Sequence, residues 1–277
     1  MKRGHYEEQL ARAASVAAGV PVERMAEVLY SEWYAPARAG RAPRLSPAVA
    51  LAHYRAADAS GRRFSAGWEQ AGMEQGKMVV RRGEEVRRVD AVDYCAAGGW
   101  VADRWDSTDL AGWWATFVRP APQGDAAVRV YWAVDPAGVF AATAAITEGI
   151  PEGMRYAFKC PLELGRCLRP DGVVLYVARA DWDRLAPCLP RIYHALKGRI
   201  HATHPAFTLA LAPGVSLAED VMGESFGGQR CRWLAAAFAG QTGQGAMVAA
   251  GAAMLEQQGV RLEAPYRGAD SEREYCW

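Results

Sequence analysis

Apolar residues recur at intervals of three and four along the first sixty residues, in the stretches EEQLARAASVAAGV, VERMAEVLYSEWYA and SPAVALAHYRAADA. This spacing predicts amphipathic helices. Ser46 followed by Pro47 predicts the start of the third helix, because serine is a favoured N-cap and proline a favoured first helical residue. We therefore expect an N-terminal helical segment over residues 1–60.

From Phe64 onward the pattern changes to short stretches of β type. Three of them are separated by turns at Gln75-Gly76 and at Gly83, and their sequences are SAGWEQAG, KMVVRR and EEVRRVD. Short strands joined by glycine-containing turns are typical of an antiparallel meander. We assign residues 61–125 to a small antiparallel β region.

Strands and helices are mixed after about residue 126. The pattern predicts strands over 128–134, 155–160 and 172–178 and around AFTLAL and GVSLAE, and helices over 136–149, 181–200, 224–240 and 246–259. Pro190 is expected to kink or split the helix over 181–200. The predicted fold class is α/β in the broad sense (α+β), with the helical segment and the meander packed on a C-terminal α/β domain over residues 126–277.

Composition narrows the function classes. The net charge of +1 over 277 residues gives no reason to expect a nucleic-acid or membrane-surface partner. No apolar run approaches the ~18 residues of a membrane span, and acidic residues stand where a signal peptide has its apolar core. The six cysteines form no C-x-x-C pair, and His201-x-x-His204 lacks a second ligand pair, so no metal site is expected. We predict a cytoplasmic protein with reduced thiols.

Two charged residues interrupt strands that otherwise have core character. Side chains alternate across a sheet, so Arg129 shares a face with Tyr131 and Ala133, and Lys159 shares a face with Ala157. An unpaired buried charge costs several kcal/mol. Each cation must therefore find an anion or reach solvent.

A third cation interrupts a helix. Arg230 falls within the apolar stripe of SFGGQRCRWLAAAF, with Gln229 at its edge, and both lie near the start of the helix, where free N–H groups favour an anion. Together with Arg129 and Lys159, Arg230 would suit a phosphate. An internal ion pair of Arg230 explains the pattern equally well, and its partner would be Glu219, Asp220 or Glu224.

The segment LAPGVSLAEDVMGESFGGQRCRWLAAAF, residues 211–238, resembles the signature of the Hop-A type III effector-like family. Further matches follow in the same order along the chain, in LYSEWY, VRVYWAV, the FK of AFKC, and VVLYVARADWDRL. Bacterial members of the family occur in biosynthetic clusters for class V lanthipeptides and thioamitides, beside a phosphotransferase-like protein. The resemblance implies a lyase-like domain over residues 126–277.

The resemblance also implies an activity, which is elimination of phosphate from phosphorylated Ser or Thr of a precursor peptide to give dehydroalanine or dehydrobutyrine. It implies the precursor peptide and a kinase-like protein as partners, and no cofactor. Lys159 matches the family lysine and is the predicted base, since neighbouring positive charges make a lysine a better base. Arg129 and Arg230 match family arginines, which would hold a phosphate carrying roughly −1.5 to −2 charges.

Three positions depart from the family pattern. Gln229 and Ala133 stand where the family has histidines, and Leu209 stands where it has a second lysine. Gln229 can hydrogen-bond a phosphate, but it cannot supply a proton as an acid. Tyr131 and His204 are the candidates to replace the missing acid. The alternative function is a non-catalytic subunit that binds the peptide or the kinase and retains the lyase fold.

Overall fold

The structure is a computed structural model that describes residues 2–62, 64–102, 105–117, 127–219, 224–269 and 271–277. The strands in these residues are β1 Phe64–Ser65, β2 Glu69–Glu74, β3 Lys77–Arg82, β4 Glu85–Val89, β5 Tyr94–Cys95, β6 Trp100–Ala102, β7 Trp105–Ser107, β8 Trp113–Phe117, β9 Ala127–Trp132, β10 Tyr156–Pro161, β11 Val173–Ala178, β12 Leu209–Ala212 and β13 Val215–Glu219.

The α-helices are α1 Lys2–Ala17, α2 Val22–Val28, α3 Pro47–Ala57, α4 Val139–Gly149, α5 Trp182–Leu185, α6 Leu189–Ala195, α7 Phe226–Phe238 and α8 Gln244–Gln257. A π-helical segment, Leu29–Tyr34, continues α2. Within the described part of the chain, no helix combines the length and the apolar character that a membrane span requires.

Local signals in the sequence correctly located several helix boundaries. The hydroxyl of Ser46 accepts a hydrogen bond from the backbone N–H of Val49, so Ser46 caps α3 as predicted. The helix expected over 181–200 is split into α5 and α6, with a 3₁₀ turn over Ala186–Cys188 between them. Pro190 lies in the first turn of α6, where its missing N–H costs nothing.

Seven strands form the central sheet, in the spatial order β12–β13–β9–β11–β10–β8–β7. All of its pairings are antiparallel, which confirms an α+β fold. Two of the strands, β7 and β8, precede residue 126, so the sheet begins earlier in the chain than the predicted C-terminal domain. The predicted meander is confirmed as the separate three-stranded sheet β2–β3–β4.

The two faces of the central sheet differ in how they are covered. On the back face, α3 and α4 pack closely, with the ring of Tyr54 stacked on Trp114 and the hydroxyl of Thr143 against the thiol of Cys160. We call the opposite face, which carries Arg129, Tyr131, Tyr176 and Lys159, the front face.

The front face is closed at one end and open at the other. Every residue of β9 is buried, whereas half-buried and buried positions alternate along β8 and most of β10. The π-helical segment and the start of α7 meet over β9, where Tyr34 packs against Phe226. The front face therefore opens over β10 and β8.

Candidate functional site

Lys159 lies on the open part of the front face. Its β10 position is paired with Val174 of β11 and Ala115 of β8, and its side chain is half-buried. The Nζ atom is 4.3 Å from the ring centre of Trp113 and 5.8 Å from that of Tyr176. Among the described residues its ammonium has no hydrogen-bond or ion-pair partner, so the charge is held against aromatic rings.

Arg129 approaches the same tyrosine from the other side of β11. Its partner in the strand pairing is Tyr176, and its Cζ atom lies 5.3 Å from the ring centre of Tyr176. Its Nη2 donates a hydrogen bond of 2.9 Å to the carbonyl oxygen of Glu224, just before α7. The side chain is 8% exposed. The structure thus brings Arg129 and Lys159 together around Tyr176, a residue that no pattern in the sequence singles out.

Tyr131 continues the front face two residues beyond Arg129. Its hydroxyl accepts a hydrogen bond of 3.4 Å from the hydroxyl of Tyr34, and both side chains are buried. Burial raises the pKa of Tyr131 to about 12, although the charge of Arg129 opposes the shift. Tyr131 is therefore protonated at neutral pH and keeps a hydrogen-bond donor beside Arg129.

Gly227 in the first turn of α7 permits the contact that holds Tyr34 in place. A Cβ atom at residue 227 would lie 2.1 Å from Cε1 of the Tyr34 ring. No side chain larger than hydrogen fits this distance without a shift of the ring. Helix α7 can therefore begin directly against the tyrosines.

Arg230 is enclosed rather than presented to solvent, since it is only 1% exposed. Its Nη1 donates to the side-chain oxygen of Gln229, and its Nη2 donates to the backbone carbonyls of Pro265 and Arg267, each at 3.2 Å. Burial lowers the pKa of Arg230 to about 10. In this conformation the guanidinium joins α7 to the part of the chain that follows α8, which we call the C-terminal segment. The predicted contact of Arg230 with phosphate would require that segment to move.

The predicted carboxylate partners of Arg230 are engaged elsewhere. Glu219 is fully buried and forms an ion pair of 3.2 Å with Arg179, and Glu224 forms an ion pair with Arg232. An ion pair of Arg230 with Glu219 or Glu224 is therefore wrong for this structure, because backbone carbonyls take their place. Asp220, the third proposed partner, lies outside the described residues.

His204 lies in a different part of the fold, in the segment before β12, and its ring contacts the turn between β12 and β13. Its Nε2 is 2.8 Å from the carbonyl oxygen of Ala212 and 3.1 Å from the backbone nitrogen of Gly214. It also lines a cavity of about 300 Å³ together with Trp33 and residues of α1. Within the described residues His204 makes no contact with Lys159, and its role as an acid stays a prediction.

The other departures from the family pattern are buried apolar positions. Ala133 and Leu209 are 3% and 8% exposed, and neither carries a group that can bind or transfer a proton. Across the described residues, no cluster of three His, Cys, Asp or Glu side chains is arranged to hold a metal ion.

The sequence profile of the HopA1 effector protein family matches residues 113–267, which is more than half of the chain. This protein belongs to the HopA1 effector protein family. The matched range includes Lys159, Arg129 and Tyr176, whereas Tyr34 precedes it. The tyrosine that closes over β9 therefore comes from outside the region by which the HopA1 family is recognised.

Solved structures give the same picture of the fold. The effector protein from Pseudomonas syringae pv. tomato strain DC3000 superposes with a TM-score of 0.61 and 14% identity, covering 95% of this chain and 96% of that chain. The effector protein from Pseudomonas syringae pv. syringae strain 61 gives a TM-score of 0.57 and 14% identity, covering 97% and 98%. At this identity the likeness establishes the fold alone. No curated protein matches this sequence significantly.

Proposed function

We propose that this HopA1-family protein is a phospho-Ser/Thr lyase, which acts on a ribosomally synthesised precursor peptide that a kinase-like partner has phosphorylated. The observation that carries the proposal is the arrangement of Lys159 and Arg129 on either side of Tyr176. Lys159 reaches the open part of the front face and has no carboxylate partner among the described residues. An amine and a guanidinium on one rigid sheet are the groups that phosphate elimination needs.

In the proposed reaction, the neutral amine of Lys159 takes the α-proton of the phosphorylated residue. The electron pair of that C–H bond forms the α,β double bond, and the bond between the β-carbon and the ester oxygen breaks. Phosphate leaves with the electron pair of the broken bond, and the products are the dehydroamino acid, inorganic phosphate and protonated Lys159. Arg129 would neutralise the charge that develops on the leaving phosphate.

Tyr131 is the proposed proton donor to the departing phosphate. The tyrosinate that forms regains a proton from solvent, and protonated Lys159 returns its proton to solvent. The raised pKa of Tyr131, about 12, keeps it protonated, and Tyr34 holds its hydroxyl in position beside Arg129.

Arg230 interacts electrostatically with both tyrosines and donates a hydrogen bond to Gln229 in this conformation. Arg230 would therefore contribute positive charge and Gln229 would hold its guanidinium, with direct phosphate contact only if the C-terminal segment moves.

Mass spectrometry of a phosphoserine-containing precursor peptide, incubated with the wild type and with Lys159→Ala, tests the proposal. We expect the mass loss of phosphoric acid with the wild type and a decrease of on the order of 10²–10⁴ in rate with Lys159→Ala. Lys77→Ala is the matched control, because Lys77 lies on β3 and pairs with Asp90 at 3.3 Å. It should retain the wild-type rate.

The binding-subunit alternative is favoured by one specific observation, which is that buried Ala133 and Leu209 stand where the family pattern has proton-transferring residues. If no variant and no wild-type sample changes the peptide, even with the kinase-like partner present, the lyase proposal is rejected. Affinity of the wild type for the phosphopeptide, lost in Arg129→Gln, would then support binding without catalysis.

A further inference from the structure

A second cation shares the indole ring that supports Lys159. The Cζ atom of Arg166 is 5.8 Å from the ring centre of Trp113, and Lys159 Nζ is 4.3 Å from the same centre. Trp113 begins β8 and is half-buried, and Arg166 lies in the 3₁₀ turn Leu164–Leu168 that follows β10. One half-buried ring therefore holds two positive charges at the open end of the front face.

The position of Arg166 is set by the backbone beside Trp113. Gly112 has a φ of +77°, and a Cβ atom there would lie 3.3 Å from both terminal nitrogens of Arg166. The carbonyl oxygen of Gly112 accepts a hydrogen bond of 2.9 Å from the backbone N–H of Leu162. The loop before β8 is thus fastened to the end of β10, and the absence of a side chain at residue 112 leaves room for the guanidinium.

The charge of Arg166 remains open to a ligand. Its ion pair within the described residues is with Glu163 at 3.5 Å, and the two side chains are 42% and 70% exposed. Exposed pairs three residues apart are weak, because both side chains are hydrated and mobile. A carboxylate that arrives with a peptide can replace Glu163, and a guanidinium can bind it through two parallel hydrogen bonds.

We propose that Arg166 is a specificity-determining residue, which binds an acidic side chain of the substrate peptide two residues away from the phosphorylated one. The inference rests on the proposed function, which puts the phosphorylated residue at Lys159. An extended peptide advances about 3.3 Å per residue and points alternate side chains the same way, so residues i and i+2 are about 7 Å apart on one side. Lys159 Nζ and Arg166 Cζ lie 4.3 and 5.8 Å from the Trp113 ring centre, so side chains i and i+2 of such a peptide can reach both cations.

The test compares phosphoserine peptides that carry Glu, Gln or Lys two residues from the phosphoserine, on either side of it. With the wild type, the Glu peptide should have a KM on the order of tenfold below that of the Lys peptide, with kcat unchanged, because uniform binding affects KM alone. Arg166→Gln should remove this preference, and Arg166→Glu should reverse it in favour of the Lys peptide. Arg184→Gln, which removes an exposed arginine paired with Asp181 three residues away, should preserve it.

The inference is overturned if the wild type treats the three peptides alike, or if Arg166→Gln keeps the preference for Glu. Fluorescence anisotropy of the same labelled phosphopeptides separates this failure from failure of the lyase proposal. Elimination without discrimination leaves the lyase standing and removes the role of Arg166. Tighter binding of the Glu peptide to the wild type than to Arg166→Gln, in the absence of any elimination, supports Arg166 as a binding residue and rejects the lyase.

Discussion

Tyr34 and Tyr131 meet hydroxyl to hydroxyl in the interior, 3.4 Å apart, although ninety-seven positions separate them in the chain. One comes from the π-helical segment and the other from β9, which also carries Arg129. The N-terminal helical segment is therefore part of the wall of the candidate site. This contact, two further contacts and the burial of the tyrosine hydroxyls each predict an outcome that can be measured on the protein alone.

Removal of the Tyr131 hydroxyl and removal of the Tyr34 hydroxyl should lower the free energy of unfolding by different amounts. Tyr131→Phe leaves the buried hydroxyl of Tyr34 without an acceptor among the described residues, and should lower the free energy of unfolding by about 1–3 kcal/mol. The Tyr34→Phe/Tyr131→Phe double variant should lose less than the sum of the two single variants, because both partners are then replaced. Urea unfolding measures all three. Strictly additive losses would contradict the hydrogen bond.

Gly227→Ala should destabilise the protein by about 1–3 kcal/mol through overpacking, because the new methyl group meets the buried ring of Tyr34. Gly245→Ala is the matched control. Gly245 lies near the start of α8 with open space around it, and alanine should stabilise the helix there by up to about 1 kcal/mol. Thermal unfolding of the two variants gives the comparison. Equal effects at the two glycines would refute the close contact.

Loss of a hydrogen bond between Glu219 and the C-terminal segment should lower the free energy of unfolding. Glu219 is fully buried and accepts hydrogen bonds from the hydroxyls of Tyr275 and Ser271, the former at 2.7 Å. Tyr275→Phe should therefore cost about 1.5–3 kcal/mol, the range for a hydrogen bond to a charged group. Tyr193→Phe, at a half-buried tyrosine whose hydroxyl has no partner among the described residues, should change stability by less than about 0.5 kcal/mol. The urea midpoints of the two variants give the comparison. Similar losses of stability would contradict the hydrogen bond from Tyr275 to the Glu219 carboxylate.

Alkaline pH should unfold the protein through its buried tyrosines. Burial raises the pKa of these groups above the ordinary value of about 10, so the unfolded chain loses protons first and the stabilisation disappears as pH rises through the raised values. Arg230 acts in the opposite sense, since burial lowers its pKa to about 10, but it is one group against several. The tyrosines concerned are Tyr6, Tyr30, Tyr34, Tyr54, Tyr131 and Tyr275.

The measurement is the free energy of unfolding as a function of pH, recorded together with tyrosinate absorbance. Stability should begin to fall at about pH 9, because burial raises the pKa of the Cys160, Cys167 and Cys231 thiols and the unfolded chain loses these protons first. It should fall more steeply above about pH 10, and most tyrosinate should form only as the chain unfolds. Constant stability up to about pH 12 would contradict the burial of these hydroxyls.

Elements with strong local signals could be predicted from the sequence, and pairings between distant segments could not. Ser46 and Pro190 set helix boundaries through their own backbone chemistry. The sequence around Trp113 is rich in tryptophan and glycine, and β8 joins the rest of the central sheet through its pairing with β10. That register depends on residues forty or more positions away, so no periodic pattern in the chain predicts it.

The same limit applies to the candidate site. Arg129 and Lys159 could be singled out because a charge in a core-like strand needs an explanation. Tyr176 was missed because a tyrosine in a strand is an ordinary core residue, and only the strand pairing reveals that Arg129 lies opposite it. Carboxylates were the expected partners of Arg230, whereas its observed partners are the backbone carbonyls of Pro265 and Arg267. These two residues belong to a segment without regular structure, whose position no sequence pattern predicts.

The fit of Gly227 against Tyr34 has a consequence for recombining members of the family. A chimera that exchanges only the matched region, residues 113–267, joins one parent's residue 227 to the other parent's residue 34. Where the donor has any side chain at the position of Gly227, the acceptor's tyrosine blocks the start of the helix. Viable crossovers between relatives therefore exchange both positions together, and compatibility at this pair becomes a criterion for choosing parents.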